Sequence, residues 1–127
     1  MSKTDSEIKE IKDKILTSIN NVKSSFGYKL VYGGWGDNAS RCACPLGCVV
    51  IDNDINHLLP TDRLVSLDKA SDYLNVSIIW VTEFIAGFDN QPLTTRDVDT
   101  DAYKLGLDLH NELNPIFIDD VIGDIVD

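Results

Sequence analysis

The amino-acid sequence predicts a mainly α fold. The expected architecture is a single compact helical domain of five to six helices containing a helix-turn-helix-like hairpin, with a short β-hairpin near 28–41 as the candidate sheet. Three observations carry this expectation. Apolar residues recur at steps of three and four over 8–26, the period of a helix with one buried face. Residues 66–88 read as two short helices joined by a tight turn. A chain of 127 residues, 43% hydrophobic and 25% charged, suits one soluble globular domain, residues 1–127, large enough to bury a core.

Ile8, Ile11, Ile15, Ile19, Val22 and Phe26 form the stripe of the first helix, predicted over 5–26. Thr4 and Glu7 have the spacing of a capping box, and Gly27 sits where a helix stops. Lys9, Glu10, Lys12, Asp13 and Lys14 mark its solvated face. The run 28–32 suits a short extended segment, and Gly33-Gly34-Trp35-Gly36-Asp37-Asn38 reads as a surface turn with a partly buried Trp. Pro45 is placed to open a brief helix running to about Ile51.

After the helical pair at 66–88, Asp89-Asn90-Gln91-Pro92 breaks the pattern. A helix over 100–113 would turn Ala102, Leu105, Leu109 and Leu113 inward. Asn114-Pro115 is a stop-and-restart signal. In 116–126, Phe117, Val121, Ile122, Ile125 and Val126 are interspersed with Asp119, Asp120 and Asp124. This pattern fits a short acidic amphipathic helix, and its Ile/Val content leaves a strand open.

Ala70-x-x-Tyr73-Leu74-x-Val76-Ser77-x-x-x-Val81-x-x-x-Ile85 resembles the core of excisionase-like and MerR-like helix-turn-helix domains, over residues 66–85 alone. Each matching residue has a physical job. Ala70 lets the helices approach. Leu74, Val76, Val81 and Ile85 fill the wedge between them, and Ser77 caps the second helix. Asn75 stands where the family usually has Gly, and Asn tolerates left-handed backbone. The resemblance implies a DNA-reading second helix, whose contact positions would be Ile78, Ile79, Thr82 and Glu83 with Trp80 nearby. Base edges are read by Arg, Lys, Asn and Gln, and none stands there. The pair is therefore expected to serve core packing, or to offer Ile78, Ile79 and Trp80 as an apolar surface for a protein.

Cys42, Cys44 and Cys48 lie within seven residues. Three thiolates and an outside ligand, His57 first, could hold a structural zinc, although a second ligand pair of the usual spacing is missing. A redox role for Cys44 and Cys48 and a run of small buried hydrophobes are the other readings. An odd cysteine count favours reduced thiols in a cytoplasm. The apolar runs are too short to cross a bilayer, and the polar residues 1–15 predict no secretory signal. The chain contains no G-x-S-x-G, Walker or H-E-x-x-H pattern, so no catalytic residue is assigned.

The net charge of −10 is concentrated in one third of the chain. Residues 1–26 hold five Lys against four acids, whereas 89–127 hold ten acids against Arg96 and Lys104. Such a surface repels phosphate backbones and attracts basic proteins. Asp97, Asp99, Asp101, Asp108, Glu112, Asp119, Asp120 and Asp124 would make one negative field if the last two helices lie side by side. The anchors beside it would be Ile78, Ile79 and Trp80, or Phe117.

The expected function is that of a small acidic, non-enzymatic cytoplasmic protein of bacterial or phage type. It would bind and modulate a basic protein, as an inhibitor, immunity protein or adaptor does, without metal or cofactor. A helix-turn-helix DNA-binding regulator or excision factor is one alternative. A small zinc- or thiol-dependent protein using Cys42, Cys44, Cys48 and His57 is the other.

Overall fold

The computed structural model of the chain describes residues 3–91 and 100–126, with side chains as far as residue 122. Within those residues it is mainly helical, with six helices and a small four-stranded sheet. Helix α1 (Asp5–Phe26) buries Ile11, Ile15, Ile19 and Val22. Its capping box is formed: the Glu7 N–H donates to Thr4 Oγ1 and the Thr4 N–H to Glu7 Oε1, each at 3.1 Å. Gly27 ends it in the left-handed region at φ 70°.

Strand β1 (Lys29–Tyr32) is flanked by two parallel partners, β3 (Cys42–Ala43) and β4 (Ile116–Phe117). Strand β2 (Gly36–Asp37) pairs antiparallel with β3, giving the order β2-β3-β1-β4. The hairpin expected near 28–41 is therefore displaced to 36–43. Gly33 and Gly36, at φ 93° and 135°, carry the chain away from β1 before it can fold back on it. Lys29 instead pairs with Cys42, and Val31 with Ile116.

Helix α2 (Pro45–Asn53) starts at Pro45 as expected, and every residue from Pro45 to Ile51 is buried. Helices α3 (Arg63–Leu74) and α4 (Ile78–Phe88) form the expected helix-turn-helix-like hairpin. Asn75 turns the chain at φ 57° and ψ 50°, and Ser77 Oγ accepts the Trp80 N–H at 3.0 Å. Ala70, Leu74 and Val81 fill the wedge, whereas Ile85 is only half-buried and faces a cavity described below.

Helix α5 (Asp101–Leu113) packs along α4 with Ala102, Leu105 and Leu109 buried and Leu113 half-buried. Gly87 and Gly106 make the crossing close. A Cβ on Gly106 would meet the Phe84 carbonyl oxygen, and one on Gly87 that of Tyr103. Trp80, Phe84 and Phe88 stack along the inner face of α4, with ring centroids 5.6 and 6.3 Å apart. The segment 116–126 divides between the two conformations left open for it: Ile116–Phe117 is β4, and α6 follows at Ile118–Val126. Val31, Cys42, Ile118 and Val121 form a small second core beside the main one. Among the described residues, no helix is long and apolar enough to cross a membrane.

Candidate functional site

A cavity of about 580 Å³ opens between the Gly33–Trp35 loop, the first turns of α3 and the outer face of α4. Arg63, Leu64 and Leu67 come from α3. Thr82, Ile85, Ala86 and Asp89 come from α4 and its C-terminal cap. Thr82, Ile85, Ala86 and Asp89 follow steps of three and four, so α4 turns one continuous stripe towards the space. Trp35 and Cys44 complete the wall, with Gln91 at the edge.

Asp89 is the chemically distinctive group. It caps α4 at the negative end of the helix dipole, where a carboxylate is disfavoured. Its Oδ1 accepts the Gly33 N–H at 2.9 Å, which ties the glycine loop to α4. Partial burial raises its pKa, against the lowering influence of that hydrogen bond and of His110. The shift is that of a carboxylate held partly out of water. His110 Nδ1 lies 2.6 Å from the Phe88 carbonyl oxygen, and its ring sits edge-on to Tyr32 and Phe88. A carbonyl can only accept, so Nδ1 is the protonated nitrogen.

The predicted surface residues fall into two groups. Ile78 and Ile79 are exposed side by side on the first turn of α4, at 46% and 71%. Trp80 is corrected: it is buried at 8% and stacks on Phe84. Three consecutive helical residues spread over about 200° around the axis, so they cannot share one face. Phe117 is exposed and leans on Tyr32, with ring centroids 5.4 Å apart. It also abuts Gly33, the loop residue that lines the cavity. Asp119 and Asp120 are exposed, and the Asp124 side chain lies outside the described residues.

The single acidic field is also corrected. Helix α5 packs along α4, whereas α6 lies on the sheet through Ile118 and Val121, so among the described residues the two do not pack as close neighbours. Part of the acidity is used within the fold. Glu112 pairs with Lys12 of α1 at 3.3 Å, and Asp101 accepts the Lys3 N–H at 3.2 Å. Asp97 and Asp99 lie outside the described residues.

The three cysteines are free and buried but do not converge. Cys42 belongs to the small core, Cys44 and Cys48 to the main one. Cys44 Sγ accepts the Gly47 N–H at 3.3 Å and caps α2. Burial pushes the Cys44 thiol up to about 12, and burial together with Cys44 raises that of Cys48. His57 turns elsewhere: Nδ1 faces the Ile51 carbonyl oxygen at 3.1 Å and the ring stacks on Phe26 at 4.4 Å. Among the described residues, no group of three His, Cys, Asp or Glu is placed to hold a metal ion.

Sequence reasoning passed over Trp35 and Asp89 as site residues. The available signal was Asp89 itself, four residues after Ile85 and therefore on the same face of α4. No family model matches the chain, and neither a curated protein nor a solved structure matches it.

Proposed function

We propose that the chain is a small acidic, non-enzymatic cytoplasmic protein that binds a basic protein through the outer face of its helix-turn-helix, as an inhibitor, immunity protein or adaptor would. The observation that carries this reading is the exposure of Ile78 and Ile79 together on the first turn of α4. Ser77 fixes that turn, so both side chains are held out at little further entropic cost. Asp68 and Asp72 lie on α3, and Glu83 follows on α4. An apolar centre supplies affinity, and acids on the same two helices speed encounter with a basic partner. Duplex DNA suits this face less well, because the reading positions offer Ile78, Ile79, Thr82 and Glu83 rather than Arg, Lys, Asn or Gln. The reading needs neither metal nor cofactor.

The test compares the wild-type chain with the Ile78→Ser/Ile79→Ser double variant as baits in an extract of the source organism. The expected result is a basic protein retained by the wild type and lost from the double variant, with unchanged thermal melting. Its association rate should fall steeply with salt while its dissociation rate changes little. Identical retention by both baits would overturn the reading. Binding of a short DNA duplex below about 1 µM in about 150 mM salt would do the same and favour the DNA-binding alternative.

A further inference from the structure

The cavity beside α4 carries two opposite charges that do not neutralise each other. Arg63 and Asp89 both line it, and among the described residues neither belongs to an ion pair. Asp89 is the costlier of the two. It is half-buried, it stands at the negative end of the α4 dipole, and Gly33 satisfies only Oδ1. Among the described residues, Oδ2 has no hydrogen-bond partner, so it is open to a cationic donor from a ligand. Arg63 is exposed on the first turn of α3 and lines the same cavity.

The other side chains lining the cavity include the apolar and aromatic Trp35, Leu64, Leu67, Ile85 and Ala86. A volume of about 580 Å³ with apolar walls and a few polar groups lies in the range of small-molecule sites. A purely apolar ligand would leave Asp89 desolvated and unpaired. A simple anion would be repelled by it, and a simple cation would leave Arg63 without a role. A ligand carrying both charges and an apolar body satisfies every wall.

We propose that this cavity binds a free α-amino acid with a large apolar side chain. Asp89 receives the ammonium group, Arg63 the carboxylate, and Trp35, Leu67 and Ile85 the side chain. The proposal does not rest on protein binding by Ile78 and Ile79, which lie nearer the other end of α4.

The test uses L-phenylalanine, with phenethylamine lacking the carboxylate and 3-phenylpropionate lacking the ammonium group. The two Trp indole N–H resonances of the intact chain report on the site. L-Phenylalanine should shift the Trp35 signal saturably and leave that of buried Trp80 in place. Each truncated analogue should bind about tenfold more weakly or worse, since each loses one charge-assisted contact. Asp89→Asn and Arg63→Gln should each weaken L-phenylalanine to a similar degree. The amide in Asp89→Asn can still accept the Gly33 N–H, and Arg63 is exposed, so both variants should melt like the wild type. Ile78→Ser/Ile79→Ser should bind L-phenylalanine unchanged, which separates this proposal from the previous one. Absence of a saturable shift with L-phenylalanine, L-leucine or L-tryptophan would overturn the assignment. Equal affinity for all three phenyl probes, or indifference to Asp89→Asn, would overturn it as well.

Discussion

Replacing Gly106 by Ala sets two effects of opposite sign against each other, and the structure decides which is larger. In an exposed helix the change would stabilise by about 1 kcal/mol, because Ala loses less backbone entropy than Gly. Here the new methyl group would run into the Phe84 carbonyl oxygen, 2.8 Å from Phe88 N and 3.1 Å from Phe84 C. Those atoms are helix backbone and cannot swing aside as a side chain can. Helix α4 must recede from α5, and a gap of roughly 0.5–1 Å forfeits a quarter to a half of each dispersion contact it opens. If roughly 30 atom contacts at ~0.1–0.2 kcal/mol join Ala102, Leu105 and Leu109 to Phe84 and Phe88, the loss is on the order of 1–3 kcal/mol. Measured overpacking penalties fall in the same range of about 1–3 kcal/mol.

Dispersion loss and exposure of the separated surfaces together exceed the propensity gain. The expected outcome is a net destabilisation of about 1 kcal/mol, seen as a lower urea midpoint by far-ultraviolet circular dichroism. Gly87→Ala should behave alike, since its methyl group would meet the Tyr103 carbonyl oxygen at the same crossing. One separation relieves both clashes, so the double variant should cost less than the sum of the two. Stabilisation by Gly106→Ala, or strict additivity of the pair, would refute the close α4–α5 crossing.

Two further outcomes test the core. Leu74→Ala, at a site only 2% exposed, should cost roughly 2–5 kcal/mol in a denaturant melt, and a change under about 0.5 kcal/mol would mean that the hairpin does not pack as described. The native thiols should resist labelling at pH 8, with three reacting after unfolding, because burial holds Cys44 and Cys48 protonated and Cys42 is wholly covered. These thiols have folded-state pKa values raised above the ordinary 9.0, so the stability they contribute is fully present below that pH. It should be lost progressively as pH rises towards about 12, where the unfolded chain releases protons the native state retains. Rapid native-state labelling at pH 8, or stability that does not fall above pH 9, would contradict the burial.

Features written by local chemistry were legible before folding was considered. The α1 stripe repeats over many turns, its capping box needs only Thr4 and Glu7, and the turn between α3 and α4 needs only Asn75 and Ser77. The sheet was not legible in this way. Strands of two residues have no period to detect, and Val31 finds its partner at Ile116, far along the chain. The exposed end of α4 lies between these cases. Ile78, Ile79 and Trp80 are all apolar, so the pattern alone gave no preference for which of them turns inward. The choice follows from the ladder Trp80, Phe84 and Phe88, which packs as one surface against the rest of the core.

The cavity shows most clearly why a site can escape sequence reasoning when its elements do not. Gly33, Arg63 and Asp89 come from a loop, a helix start and a helix end, and no fixed spacing joins them. What joins them is that α4 uses two faces for two purposes. Its inner face, with Gly87, presses against α5, and its outer stripe from Thr82 to Asp89 walls the cavity. The Gly33 N–H then ties the end of that stripe to the loop after β1, while Phe117 of β4 braces the same glycine from outside. A displacement of α4 away from α5 would therefore carry Asp89 with it. The Gly106→Ala variant consequently bears on the site as well as on stability: the Trp35 indole resonance, across the cavity from α4, should move in that variant even without ligand. If it stays in place while stability falls, the loop is positioned independently of α4, and the Asp89–Gly33 bond is not what holds the cavity open.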